Sequence, residues 1–509
     1  MEGISRIGEK ARLPLKIKVL PYLMDHRFNG RAVLPAVEAM GLLAASTRKH
    51  LPNTDTAIII RARFNRFLYL NPDGPPIDAF NEIEVSGDGA LISRLITRTR
   101  SEKTGITRTK EHVSLRFSGD PGGMAVPPSD ELAALRGPVF RIPARRLYSE
   151  LVPFGPSYHN VKGDLMVSEQ GAMGRVHAPD HGPSDAPLGS PFPFDASLHA
   201  ACVWGQRHMG LVAFPAGLGL RRIFRRTRPG TTYWTKVAPK EGLRNGFLVD
   251  IWIYDEDGVL YESAQDVLME EVSFGGMVPP PWVGAGAGDP TLPFLITRCD
   301  WVVIIELDTI IIGTAAMALS DTELERYERL GERRKRSYLG ARLCCKALSR
   351  QLSGNDWVTP ASSITTISRD KIRPRTPLTD GRDLFFCSVS HDSRFAIAVA
   401  TGTKVGVDVE EISERAFRRR RIFMGEREEM LVMDSPLGAV EASVRIWSIK
   451  EAMTKALGMD MAQSWDRVEV RDVGENKSLV LMEQMEYSAW HDSMDNHLFT
   501  LITDVVEPA

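Results

Sequence analysis

Two acids, Asp408 and Glu410, stand two residues apart in KVGVDVE (404–410), alternating with Val405, Val407 and Val409. A period of two puts the valines on one face of a strand and both carboxylates on the other. Such paired oxygens suit a hard cation such as Mg²⁺, which takes one or two carboxylates and fills its shell with phosphate and water. The same pattern also fits an exposed polar edge. In WSIKEAMTKALG (447–458), Trp447, Glu451 and Lys455 recur every four residues on one helix face, with Lys450 beside them. That face reads as a surface Glu451–Lys455 salt bridge, or as a phosphate-transfer site whose lysines hold pyrophosphate oxygens while the glutamate completes the metal shell. FFCSVSHD (385–392) is a strand ending in Ser390–His391, where a histidine before a turn is placed to meet a ligand.

A second set lies far upstream. DHRFNGRAVLP (25–35) spaces His26, Gly30 and Pro35 so that a histidine precedes a glycine turn and a helix start. FDASLH (194–199) puts Asp195 at a helix beginning, as a cap or first residue, with His199 one turn later on the same side. FGPSY (154–158) lies between them. Each of these also has a structural reading: a histidine beside a turn, and an ordinary capping aspartate.

The elements that must carry these residues divide the chain. Residues 275–292, GGMVPPPWVGAGAGDPTL, are rich in Gly and Pro and read as a linker between two bodies. A weaker break covers 118–128. The N-terminal body is mostly strand (57–63, 83–85, 91–97, 112–117, 248–254), interrupted by helices from Pro35 and from about Asp195. This is twice the unit of a helix followed by strands, a pseudo-repeat of one fold. In the C-terminal body, 321–352 reads as one helix with the basic run Arg333–Arg336. Residues 384–389, 395–400 and 404–410 read as strands, and 440–458 as a helix closed by Gly458. Residues 301–312 read as a strand with a turn, or as two buried strands.

Bulk properties narrow the classes. The 509 residues exceed one ordinary core, and 43% hydrophobic with 25% charged residues is a globular mixture. A net charge of -2 is neutral on nucleic acid, and no recognition module accompanies the basic runs Arg333–Arg336 and Arg418–Arg421. Those runs read as solvated helix faces, or as contacts to phosphate groups or to an acidic protein partner. No apolar run spans a bilayer and the first residues lack a signal-peptide core, so a cytoplasmic location is expected. Five cysteines (Cys202, Cys299, Cys344, Cys345, Cys387) without a CxxC pair read as free, buried thiols.

In their order, Ser390–His391, Gly406–Glu410 and Trp447–Lys455 resemble the signature of the Sfp-type phosphopantetheinyl transferases: a Ser-His step, a G-V/I-D-V/I-E strand, then W-x-x-K-E-A-x-x-K. Arg336 to Leu343 fits a further R-x-x-L-G-x-x-L pattern. The resemblance covers about residues 293–505 and implies a pseudo-symmetric α/β fold of two halves. It implies that Asp408, Glu410 and Glu451 bind Mg²⁺ on the pyrophosphate of coenzyme A, and that His391, with Ser390, contacts the 3′-phosphate side. Lys455, with Lys450, neutralises the leaving phosphate. A carrier serine attacks, with Glu451 or a water of the metal's shell taking the proton. The family often has Ser-His-Ser where this chain has Ser390–His391–Asp392. Its upstream Gly-Lys-Pro is replaced by a stretch in which Arg373 or Arg375 would supply the phosphate contact.

His26 to Pro35, Phe154 to Tyr158 and Asp195 to His199 resemble the dehydratase domains of polyketide and iterative fatty acid synthases: H-x-x-x-G-x-x-x-x-P, Y-G-P-x-F and D-x-x-x-Q/H, with two aromatic swaps in the middle motif. This implies a double hotdog over about 10–275, the first hotdog about 10–120 and the second about 140–275. It also implies loss of water from a 3-hydroxyacyl thioester. His26 is then the base at the α-carbon and Asp195 the acid on the departing hydroxyl. His199 orients Asp195, and a backbone N–H near Gly30 faces the thioester carbonyl.

The expected fold class is therefore α+β: a double hotdog, a linker at 276–292, and a two-half transferase at 293–505. The expected function is bifunctional, with coenzyme A as co-substrate, Mg²⁺ as cofactor, and as partners an acyl carrier protein, a 3-hydroxyacyl thioester and a second copy through the dehydratase half. Nucleic acid is not expected. Dehydratase and transferase also occur together at the end of some iterative synthases, such as the enediyne type. The alternative is a carrier-docking scaffold with one inactive site.

Overall fold

Alternating β-branched runs at the N-terminal end pair into one 12-stranded antiparallel sheet, and two helices pack against it. A computed structural model describes residues 8–72, 74–100, 106–118, 126–182, 186–271, 277–284, 291–354, 358–366 and 385–505. Two units emerge. The first comprises Met1–Met124 and Phe140–Gly286; the second comprises Ala125–Val139 and Ala287–Ala509.

In the first unit, Lys10–Ile17, Ile77–Val85, Leu91–Arg100, Thr107–Phe117 and Ile58–Phe64 lie side by side in that order and pack on the helix Ala36–His50. The sheet crosses into the second hotdog where Ile58–Phe64 pairs with Ala213–Ile223, for instance Leu218 opposite Ala62. It then continues through Leu260–Glu271, Gly246–Tyr254, Thr232–Leu243, Gly171–His177, Val161–Ser168 and Phe140–Pro143. These strands pack on the helix Phe192–His208. Two copies of a helix against a curved antiparallel sheet make this unit a double hotdog, with one apolar cluster running through both halves.

The second helix begins at Phe192, earlier than the sequence suggests, so Asp195 is not its cap. Pro193 pre-sets the helical φ and costs no hydrogen bond there, because first-turn N–H groups have no intrahelical acceptor. Asp195 is thereby turned inward and buried.

The second unit holds two antiparallel sheets, each with one long helix. Strands Trp301–Glu306, Phe395–Thr401 and Phe386–His391 pack on the helix Glu332–Leu352. Gly406–Glu411, His497–Ile502, Met485–Met494, Lys477–Met482 and Val468–Asp472 form a five-stranded sheet against the helix Ala439–Leu457. Gly458 closes that helix in the left-handed region at φ 66°. The stretch read as one helix over 321–352 is two, Asp321–Glu328 and Glu332–Leu352, broken at Gly331.

Two connecting segments depart from the sequence reading. Ala125–Val139, between the hotdogs, belongs to the second unit. Arg350 donates to both oxygens of Asp130 at 2.8 and 2.7 Å, Gly137 N–H donates to the Ile304 carbonyl, and Ala133 and Ala134 join that unit's core. Within the stretch read as linker, Val283 is fully buried in the first unit. Trp282 donates to Glu150 and stacks under Arg146. In a stretch this rich in Gly and Pro, one aromatic and one aliphatic side chain suffice to pin it. None of the five cysteines forms a disulfide; four are buried and Cys387 is half-buried. Among the described residues no helix is long and apolar enough to cross a membrane.

Candidate functional site

Gly406 opens the strand that bears the acids. A Cβ there would come within 1.8 Å of the Ala452 carbonyl oxygen, so only glycine lets this strand lie against the helix Ala439–Leu457. That approach sets Asp408 and Glu410 against Glu451 and Lys455. One oxygen from each of Asp408, Glu410 and Glu451 falls within 4.8 Å of the others. Lys455 Nζ donates to Asp408 Oδ1 at 2.6 Å and to Ser390 Oγ at 2.8 Å, and lies 3.5 Å from Glu451. Ser390 Oγ donates to Asp408 Oδ1 at 2.8 Å. Trp447 Nε1 donates to Glu410 at 2.8 Å, which explains a tryptophan on the same helix face as Glu451.

Three carboxylates share the site with one ammonium. Burial and the Asp408 charge push Glu410 up to about 7 and Glu451 up to about 8. Burial alone would lower Lys455, but Asp408 and Glu451 outweigh it and hold the ammonium above its ordinary value. The second oxygen of Asp408 is buried, and no donor reaches it among the described residues. An all-oxygen set with excess negative charge and an unmatched buried oxygen fits a hard divalent cation such as Mg²⁺.

His391 stands at the end of its strand, exposed by area. Desolvation by the site walls, with Lys455 and Arg342, lowers its imidazole below the usual range. Asp392, which departs from the Ser-His-Ser pattern, faces away. It accepts from the Arg394 and Phe395 N–H groups as a turn cap and pairs with His497. Lys450 does not join the carboxylates: it is buried and donates to Glu428 at 2.8 Å and to the Phe423 and Trp465 carbonyls. Its expected phosphate role gives way to a structural one, because one position before Glu451 on a helix points about 100° away from it. Arg373 and Arg375 lie outside the described residues. The basic runs sit at the surface, where Lys335 pairs with Glu332 and Arg418 with Glu414, while Arg336 holds the Leu307 and Ile310 carbonyls.

In the first unit, His26 closes the turn Pro21–Asp25. Its Nδ1 lies 3.2 Å from the Val33 carbonyl, which leaves Nε2 free of that bond. Asn29 and Gly30 both take positive φ, 47° and 75°, between the short strands Arg27–Phe28 and Arg31–Ala32; the second position of such a tight turn favours glycine. The middle motif is tied to the residue before His26: Ser157 N–H and Oγ both donate to Asp25, and Gly155 N–H donates to its carbonyl. That places Phe154 stacked on His26 at 4.2 Å and Tyr158 edge-on at 5.1 Å. His199 Nε2 stands 3.0 Å from Asp195 Oδ2, off hydrogen-bond alignment, and the Tyr148 hydroxyl lies 3.4 Å from His199 Nδ1.

His26, Asp195 and His199 line one mostly apolar cavity of about 360 Å³, with Phe154, Leu198 and Phe214 among its walls. Burial lowers His26 to about 4, so its imidazole is neutral near pH 7. Sequence reading missed Asp25, Glu38, Tyr148 and Trp447 as partners. Asp25, adjacent to His26 in sequence, carried the best available signal.

Residues 404–502 match the family model of the 4′-phosphopantetheinyl transferase superfamily, and residues 137–276 that of the polyketide synthase dehydratase N-terminal domain. The chain is thus a fusion of two enzyme domains, a polyketide-synthase-type dehydratase domain followed by a 4′-phosphopantetheinyl transferase domain. Among solved structures it is similar to the dehydratase domain of a mycocerosic acid synthase-like polyketide synthase, at 17% identity over 53% of this chain and 94% of that chain, with a TM-score of 0.43. It is likewise similar to a trans-AT polyketide synthase dehydratase domain from Brevibacillus brevis, at 16% identity over 52% of this chain and 94% of that chain, with a TM-score of 0.42. No curated protein matches it. Both domain families consist of enzymes, and their fusion supports a bifunctional biosynthetic role.

Proposed function

We propose that the second unit transfers the 4′-phosphopantetheine arm of coenzyme A to a serine of an acyl carrier protein, with Mg²⁺ as cofactor, and that the first dehydrates a carrier-bound 3-hydroxyacyl thioester to the enoyl thioester. The carrying observation is the convergence of Asp408, Glu410, Glu451 and Lys455 on one point.

Asp408, Glu410 and Glu451 would hold the cation, which when bound supplies charge neutralisation on the pyrophosphate. The protein's own groups do the rest. Lys455, fixed by Asp408 and Ser390, keeps its ammonium aimed where negative charge grows on the leaving phosphate. Ser390 holds Asp408 and Lys455 together. His391, exposed and close to Arg342, meets the 3′-phosphate. Glu451, beside Lys455 on the helix face that meets the acidic strand, takes the proton of the incoming serine hydroxyl.

For dehydration, neutral His26 removes the α-proton, Asp195 delivers a proton to the departing 3-hydroxyl, and His199 orients Asp195. Water leaves and a C2–C3 double bond forms. Phe154 and the apolar walls exclude bulk water.

The test is intact-mass analysis of an apo carrier protein incubated with this protein, coenzyme A and Mg²⁺. A gain of one arm that is lost in Asp408→Ala and Glu451→Ala supports the transferase. No gain across several carriers, with no coenzyme A binding, moves the second unit to a carrier-docking scaffold.

A further inference from the structure

Glu38 is a buried acid that neither proposed reaction uses. It sits in the first turn of the helix Ala36–His50, as Asp195 sits in the first turn of its counterpart helix. Burying a carboxyl costs stability unless it is well paired, and an apolar side chain of that size would be cheaper. Its side-chain partner is a hydroxyl: Tyr22 Oη donates to Glu38 Oε1 at 3.0 Å. Tyr22 belongs to the turn Pro21–Asp25, whose end is His26. At its other end the same turn is held by Asp25, which accepts from Ser157. His26 is therefore presented by a turn with two carboxylate anchors, one of them Glu38.

We propose that Glu38 is a positioning residue of the dehydratase site, holding through Tyr22 the turn that presents His26, and that its ionisation tightens this hold. The proposal rests on the dehydratase reading of the first unit. Glu38 does not line the cavity, so it acts through Tyr22 and not on substrate. An ionised acceptor makes a stronger hydrogen bond than a neutral one. The titratable groups acting on Glu38 are Tyr22 from the turn, Tyr158 from the turn Pro156–Tyr158, and Asp195 from the second helix. Burial first, then Asp195, push Glu38 up to about 7, against the pull of Tyr22. Both phenols are pushed upward and stay neutral donors. Tyr158 Oη is buried without a hydrogen-bond partner among the described residues, in the fields of Glu38 and Asp195.

The experiment compares full-length wild type, Glu38→Gln and Tyr22→Phe by two readouts. The first is dehydration of a 3-hydroxyacyl pantetheine thioester from pH 5.5 to 8.5. Wild-type kcat should rise several-fold through about pH 7. Both variants should lack that rise and fall roughly tenfold below wild type at pH 8, with KM unchanged. The second is the ¹⁵N NMR signal of the His26 ring, which needs no turnover. It should step near pH 7 in wild type and not in Glu38→Gln. A wild type that makes no enoyl product but shows the His26 step overturns the dehydratase reading and leaves the Glu38 anchor standing. A variant whose His26 signal and pH profile follow wild type overturns the anchor.

Discussion

Gly406 and Ala452 pack so closely that the glycine hydrogen occupies space no side chain could share with the Ala452 carbonyl. This contact sets the spacing between the acidic strand and the helix bearing Glu451 and Lys455. Gly406→Ala must push strand and helix apart, and overpacking of this kind costs about 1–3 kcal/mol or more. Calorimetry should show a lower melting temperature for the second unit. Arm transfer should fall by more than a hundredfold, because displacement of about 1 Å at a site costs that much. Dehydration should be unaffected.

Lys450 and Lys455 share a helix but not a role. Lys450 is paired with Glu428 in the core, and Lys455 is part-exposed among the carboxylates. Lys450→Ala leaves Glu428 buried without its ion partner, with only the Gly425 and Val470 N–H groups to hold it, and breaking a buried pair of this kind costs about 3–5 kcal/mol. Lys455→Ala should cost less stability, because the half-exposed Glu410 and Glu451 can take up a proton in its place, and should abolish transfer. Denaturant titration beside the mass assay separates them; equal destabilisation by the two substitutions would contradict this division.

How far these sites were readable depends on the range of the interactions. The strand 404–410, the helix to Gly458 and the acids on them were legible because period-two and period-four spacing act within one element. Asp195 was read near a helix start but not as a buried first-turn residue, because Pro193 moves the start by three positions. Lys450 was misassigned because its partner Glu428 lies in another helix, Glu426–Met433. The Asp392–His497 pair was invisible for the same reason, joining residues far apart in sequence. Alternation in 468–502 went unread; there His491 and His497 occupy buried positions of a four-stranded meander.

Asp130 ties the segment Ala125–Val139 to the second unit through both guanidinium contacts of Arg350. Each partner is nearly fully buried. Asp130→Ala should lower the stability of the second unit by about 3–5 kcal/mol, since Arg350 is left charged in the core. Limited proteolysis should then open the transferase unit first. The double substitution Asp130→Leu with Arg350→Met should recover most of the loss, because it removes both charges together.

His26 makes a pH prediction whose sign follows from its lowered pKa. An unfolded histidine ionises near its ordinary value of 6.5, whereas burial holds folded His26 to about 4. Between those values the unfolded chain binds a proton that the folded site refuses, so stability rises with pH across that window and reaches its full value above 6.5. Glu38 works in the opposite direction: raised from 4.5 to about 7, it makes the folded state hold the extra proton, and its contribution falls as pH rises through that range. The two slopes oppose each other in wild type, so the test is by substitution. In urea titrations at pH 5 and pH 7.5, His26→Asn should gain stability relative to wild type at pH 5 and lose that gain at pH 7.5. Glu38→Gln should gain more at pH 7.5 than at pH 5. In Glu38→Gln, where the step near pH 7 is absent, the remaining dehydration should persist to pH 5, below the ordinary histidine range, because the base remains neutral there; a collapse of that variant's profile near pH 6.5 would show His26 to be solvated, not buried.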